Sequence, residues 1–221
     1  MADVLHGFSY SKSASRYRSD ATGRFVARTQ ITDLLDTQTA KLEARLGNLA
    51  TAAHEGKLSP AYFAEQMRTE LRRGHLQNRA LGAGGWDKLT PADFGSVGRR
   101  LRDDYARVAN LARGIKDGTV TLPQALNRVQ GYAGAARVQF YEADEKARQD
   151  AATSKGMVLL MIRDLGATEH CRSCVNYYGQ GFQLQHYLPG QNSECSTHCR
   201  CGLRYKEVPA ADVDTWIGKR G

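Results

Sequence analysis

Apolar side chains at Ile31, the adjacent pair Leu34 and Leu35, Leu42, Leu46 and Leu49 recur at spacings of three, four or seven. That period places them, with Val26 ahead of them, on one stripe of a long helix over 25–54. Glu55-Gly56 supplies its stop. Ser59-Pro60 opens a second helix, a hydroxyl cap followed by a proline whose missing N–H costs nothing at the first helical position. Its core side is Phe63, Met67 and Leu71. Residues 80–87 read Ala-Leu-Gly-Ala-Gly-Gly-Trp-Asp, a glycine density that predicts a loop with Trp86 as its anchor.

Thr90-Pro91 repeats the start signal, and Val97, Leu101, Tyr105, Val108, Ala112 and Ile115 form the stripe of a third helix stopped by Asp117-Gly118. Thr121 with Gln124 three residues on is a capping box for a fourth helix, lined by Leu126, Val129, Ala133, Ala136 and Phe140. Glu55-Gly-Lys-Leu-Ser59 and Asp117-Gly-Thr-Val-Thr121 share one order: acid, glycine, any residue, apolar, hydroxyl. Duplication of a helical hairpin and two independent uses of one stop-and-start grammar both explain the match. After the charged end of the fourth helix the period changes. Met157–Ile162 reads as a buried strand, 201–208 as its partner, and the tail as one short helix through Val213, Trp216 and Ile217.

The predicted fold is mainly α, a helical bundle or hairpin array followed by a small α+β zinc-knuckle module with short strands. The expected boundaries are a flexible N-terminal arm over 1–24, a helical body over 25–155, a zinc-binding β module over 156–208 and a C-terminal tail over 209–221.

Cysteine placement changes the picture most. All five cysteines of the 221 residues fall between Cys171 and Cys201. Clustering and an odd count point to a metal site rather than a disulfide framework. Cys171-Arg-Ser-Cys174 has the spacing that lets one tight turn aim two thiolates at one tetrahedral ion, and Cys195-Ser-Thr-His198-Cys199-Arg-Cys201 supplies the rest. The expected ligands are Cys171, Cys174, Cys195 and Cys199, with Cys201, His198 and His170 as alternates; spacing leaves open which of Cys199 and Cys201 is the fourth. Thiolate-rich tetrahedral sites select zinc or iron–sulfur, and one compact site favours a structural zinc. A catalytic zinc needs an open position and a general base. Glu169 and Glu194 are the adjacent carboxylates, in no hydrolase or deaminase arrangement.

The strand that ends in Asp164, the Cys-x-x-Cys turn, the stretch with Phe182 and Leu184, Pro189-Gly190-Gln191 and the closing Cys199-Arg-Cys201 together resemble the phage head morphogenesis family, the Mu F-like minor head proteins. The motifs cover 157–208; the helical body agrees in general character. Where members often carry His-Pro before the final Cys-Arg-Cys, this chain has Cys195-Ser-Thr-His198, so a cysteine stands for a histidine ligand. The resemblance implies a structural virion component, not an enzyme, associated with portal or major capsid proteins and acting in head assembly, DNA packaging or delivery. It further implies a location in the virion, and in the host cytoplasm during assembly.

Charge adds a partner class. Lys and Arg number 31 against 23 Asp and Glu, a formal net charge of +8, which favours an acidic partner such as packaged DNA held through non-specific phosphate contacts. Arg72, Arg73, Arg99, Arg100 and Arg102 are candidate contacts. The alternative is a zinc-containing DNA-binding regulator that uses Arg200, Arg204 and Lys206; it lacks a recognition helix beside the cysteines. No apolar run approaches the roughly 20 residues that span a bilayer, so no membrane role is expected. No Walker loop, Gly-x-Ser-x-Gly elbow or paired acids point to an enzyme.

Overall fold

A computed structural model describes residues 7–165, 170–182, 194–195, 199 and 201–217. The fold is mainly helical, as expected. Four long helices, α1 (Arg28–His54), α2 (Pro60–Ala83), α3 (Pro91–Lys116) and α4 (Leu122–Thr153), follow one another, with α2 packed on α4, α3 and α1, and α1 also on α4. A short hairpin, β1 (Phe8–Ser11) with β2 (Arg16–Ser19), precedes them. The C-terminal module contains β3 (Met157–Asp164), α5 (Arg172–Tyr177), β4 (Gly181–Phe182), β5 (Gly202–Pro209) and α6 (Val213–Trp216). Among the described residues, no helix is long and apolar enough to cross a membrane.

The predicted caps are in place. Ser59, Thr90 and Thr121 each accept from the amide three residues on, at Tyr62, Asp93 and Gln124. The two matching stops share one geometry as well as one sequence grammar. Gly56 and Gly118 take φ of +72° and +67°, where a side chain would be strained. The following amides, of Lys57 and Thr119, reach back to Ala52 and Gly114, each at 2.9 Å.

Helix α4 is the axis of the molecule. Every residue from Tyr132 to Tyr141 is buried, and four of them are alanine or glycine at 133–136, which lets neighbours approach closely. One apolar core joins all four helices through Leu42, Leu46, Phe63, Met67, Val108 and Val129. A second core, with Tyr10, Tyr17, Ile31, Leu35, Leu81, Phe140, Met161 and Leu203, brings the N-terminal hairpin and the C-terminal strands onto the other end of α4. Leu126, expected in the core, lies at the surface of α4, 36 % exposed.

Three sequence expectations are corrected. Helix α2 does not break at residue 80 but runs through Gly82, because glycine there lets α2 press on α4: an added Cβ would collide with the Phe140 carbonyl. Gly84, at φ +88°, ends the helix instead. Trp86 does not anchor the following turn; it lies 41 % exposed. Residues 8–19, expected as part of a free arm, pair as a hairpin whose inward Tyr10 and Tyr17 are buried. The Tyr17 hydroxyl contacts Asp144 at 3.1 Å and the Leu81 carbonyl at 3.1 Å, so the segment has buried polar as well as apolar reasons to dock. A further difference is small: α1 starts at Arg28, not Phe25.

Charged groups lie between these layers. His75 and Asp104, both wholly buried, approach at 3.1 Å between α2 and α3. Arg79 on α2 binds Asp93 at 2.7 Å and Glu142 at 3.1 Å, tying α3 and α4 to it.

Glu145 sets a pH dependence. Burial, added to by the charges of Glu142 and Asp144, pushes its carboxyl up to about 7. Below about 4.5 the carboxyl is protonated whether the chain is folded or not; as pH rises towards 7 the unfolded chain gives up its proton first, so stability falls. Glu145→Gln should remove that decline. Thermal melts between pH 4 and 8 should show the variant gaining on the wild type as pH rises; parallel curves would contradict this.

Candidate metal centre

Strand β3 is the middle of a three-stranded antiparallel sheet ordered β4-β3-β5. Its partnership with β5 is continuous from Met157 opposite Pro209 to Asp164 opposite Gly202. This register returns the chain to the point it left. The residues after Asp164 and those before Gly202 therefore share one end of the sheet, and the cysteines lie in those two stretches.

Five thiols gather there. Cys171 caps α5 at its N-terminus, and Cys174 lies one turn further on, fully buried. The sulfurs form two triads, Cys171-Cys174-Cys195 and Cys174-Cys199-Cys201, each with all members within 4.8 Å of one another. Cys174 belongs to both. The Sγ–Sγ separations are 3.4 Å for Cys171–Cys195 and 3.8 Å for both Cys174–Cys195 and Cys174–Cys199. Four sulfurs about 2.3 Å from one tetrahedral ion would lie about 3.8 Å apart. The cluster thus has the donor type and the spacing to hold a metal ion.

The residues expected as ligands are distributed between the triads. Cys171, Cys174 and Cys195 are together in the first; Cys199 joins Cys174 in the second, with the alternate Cys201 as its third member. His170 faces Cys201, its Nδ1 4.0 Å from the sulfur. His198, the remaining alternate, lies outside the described residues, as does Arg200.

Electrostatics favour thiolate in part of the cluster. Burial opposes ionisation of Cys171, but the Ser173 hydroxyl and the amides of Cys174 and Cys195 outweigh it and bring the thiol down to about 6. Burial raises Cys174. The fully buried Arg163 guanidinium reaches its sulfur at 3.5 Å, a cation placed where thiolate charge would develop.

The helical body grips this end of the sheet through backbone carbonyls. Arg137 on α4 donates to the Cys201 carbonyl at 3.2 Å while its other edge holds Asp36 of α1 at 2.8 Å. The Tyr141 hydroxyl reaches the same Cys201 carbonyl at 3.4 Å, and Arg28 of α1 donates to the Leu203 carbonyl at 2.9 Å. Sequence reading missed Arg137, Tyr141 and Arg163. The signal was available as an arginine within an otherwise alanine-rich helix and another at the end of an apolar strand, both positions where a charge is retained only if paired.

Compared with protein-family models, curated proteins and solved structures, the chain matches none.

Metal removal should act locally, because the stretch between the thiols has few apolar side chains and binding free energy becomes folding free energy in such modules. Chelation, or Cys174→Ser, is expected to speed amide exchange across α5 and the ends of β3 and β5 while α1–α4 keep their protection. Uniform exchange with and without chelator would contradict a structural metal.

Proposed function

We propose that the chain is a minor structural component of a phage head, acting near the portal or the capsid interior in head assembly and in DNA packaging or delivery. Its thiol cluster would hold one structural zinc ion. The observation that carries this reading is the closure of thiols from two distant turns at one end of a β3–β5 pair that is seated on a helical body, the arrangement that the resemblance to Mu F-like head proteins implies.

Zinc follows from the donor set. Clustered thiolates at tetrahedral spacing suit zinc or an iron–sulfur cluster, and the ligands proposed are Cys171, Cys174, Cys195 and Cys199, with Cys201 beside them. The role is structural rather than enzymatic. Glu194, the described carboxylate next to the thiols, is exposed and uses its amide to bind the Ser173 hydroxyl, and Glu169 lies outside the described residues.

A zinc-containing regulator has less support. The helix next to the thiols, α5, has six residues, too short to lie along a major groove and present several base-reading side chains.

The reading is tested by mass spectrometry of particles purified from cultures that produce the chain, paired with metal analysis of the isolated protein. Detection of the chain below the abundance of the main capsid subunit, with about one zinc per molecule, is the expected result. Particles free of the chain would overturn the virion assignment, and iron in place of zinc would overturn the metal.

A further inference from the structure

We propose that the outward face of the β1–β2 hairpin contacts the phosphodiester backbone of nucleic acid, with Arg16 and Arg18 as its central phosphate ligands. The hairpin has two unlike faces. Tyr10 and Tyr17 point inward and are buried; Ser9 and Ser11 on β1 are the cross-strand partners of Arg18 and Arg16 on β2, so strand alternation puts these four on the opposite side. The chain then turns back. The Val26 amide donates to the Tyr17 carbonyl at 3.0 Å, and Phe25 pairs with Arg18 along the edge of β2.

Phe25 thereby becomes a platform. Its ring is 39 % exposed, and both guanidiniums stack on it, Arg16 at 5.1 Å and Arg18 at 5.0 Å from the centroid. A guanidinium laid against an aromatic face keeps its N–H edges free and loses little further freedom on binding a phosphate. Residues two apart on a strand are about 6.8 Å apart, so the two arginines can engage separate phosphates. Exposed Lys12 and Arg24 extend the positive surface on either side.

Among the described residues no carboxylate forms an ion pair with Lys12, Arg16, Arg18 or Arg24, although ion pairs engage many of the other arginines. The nearby Glu207 is taken by Lys155 at 2.9 Å and by the Ser15 hydroxyl at 2.8 Å. If the arginines served only the hairpin's stability, acidic cross-strand partners would serve it better than the serines found there. Hydroxyls beside guanidiniums that no carboxylate pairs instead make a donor-rich strip, with Asp20 just beyond the end of β2 as the adjacent acid. It fits phosphates without reading bases. Of the arginines expected from the sequence to touch DNA, Arg99 and Arg102 are exposed on α3 beside exposed Asp103, and among the described residues neither is stacked on an aromatic ring.

The inference rests on the head-protein reading only for which nucleic acid is met, since binding itself requires no particle. Fluorescence anisotropy of the full zinc-loaded chain with a labelled 30-base-pair duplex of arbitrary sequence, at several salt concentrations, tests it. Arg16→Ser with Arg18→Ser should weaken binding about tenfold at low salt and reduce the steepness of the salt dependence by about two contacts. Arg99→Ser with Arg102→Ser should leave both nearly unchanged, and Phe25→Leu should fall between. Both arginines are exposed, so the double variant should melt with the wild type; circular dichroism checks this. Wild-type affinity in the hairpin variant, equal losses in both double variants, or binding to phosphatidylglycerol vesicles but not to duplex would each overturn the proposal. Hairpin-dependent binding by a chain absent from particles would overturn the head-protein reading and leave this one standing.

Discussion

Asp144 is wholly buried on α4, and groups from three parts of the chain converge on its carboxylate. Arg28 at the start of α1 approaches at 2.8 Å, Arg148 one turn along α4 at 2.8 Å, and the Tyr17 hydroxyl of β2 at 3.1 Å. Burial alone would raise the carboxyl's pKa, but the two guanidiniums outweigh it and hold the group below its ordinary range. A charge so placed is tolerable only while every partner is present; removing one partner from such a cluster costs about 3–5 kcal/mol. Each partner in turn holds something else. Arg28 donates to the Leu203 carbonyl of β5, and Arg148 to the Ser15 carbonyl of the hairpin turn at 3.3 Å. The hairpin, α1, α4 and β5 are thus fixed with respect to one another by a single ionic group.

The same face of α4 continues this function towards the thiols. Arg137, Tyr141, Asp144 and Arg148 succeed one another at four, three and four residues, so they share one side of the helix. Arg137 and Tyr141 hold the carbonyl of Cys201, and Asp144 with Arg28 holds the next part of β5. The thiol cluster is therefore tied to the helical body at both ends. One end of its cysteine framework is tied to the helical body through backbone carbonyls, and the other is tied by β3, which continues from α4 across the turn at Gly156. An ion held by the thiols would close the segment between two strands whose bases are already fixed.

Much of this was legible in the sequence because it rests on local rules. Hydroxyl caps, glycine stops and the period of Ile31, Leu35, Leu42 and Leu46 predicted the helices, and the spacing of Cys171 and Cys174 predicted the thiol cluster. What escaped was set by contacts distant in sequence. The glycines near residue 82 read as a break, yet one of them is the contact point of α2 with α4. The first 24 residues read as an arm because their buried pair, Tyr10 and Tyr17, alternates over too short a strand to stand out. Arg137 and Asp144 read as ordinary helix charges, since nothing local says that α4 is enclosed. The division of five cysteines into two triads that share Cys174 is likewise a property of the strand register, not of their spacing.

On the function proposed above, the thiols brought together by the β3–β5 register close around one zinc ion. X-ray absorption at the zinc edge of the intact purified chain addresses it directly. The expected first shell is made up mainly of sulfur, about four atoms at about 2.3 Å. A shell of nitrogen and oxygen alone, or a chain that retains no metal when purified without chelator, would contradict it.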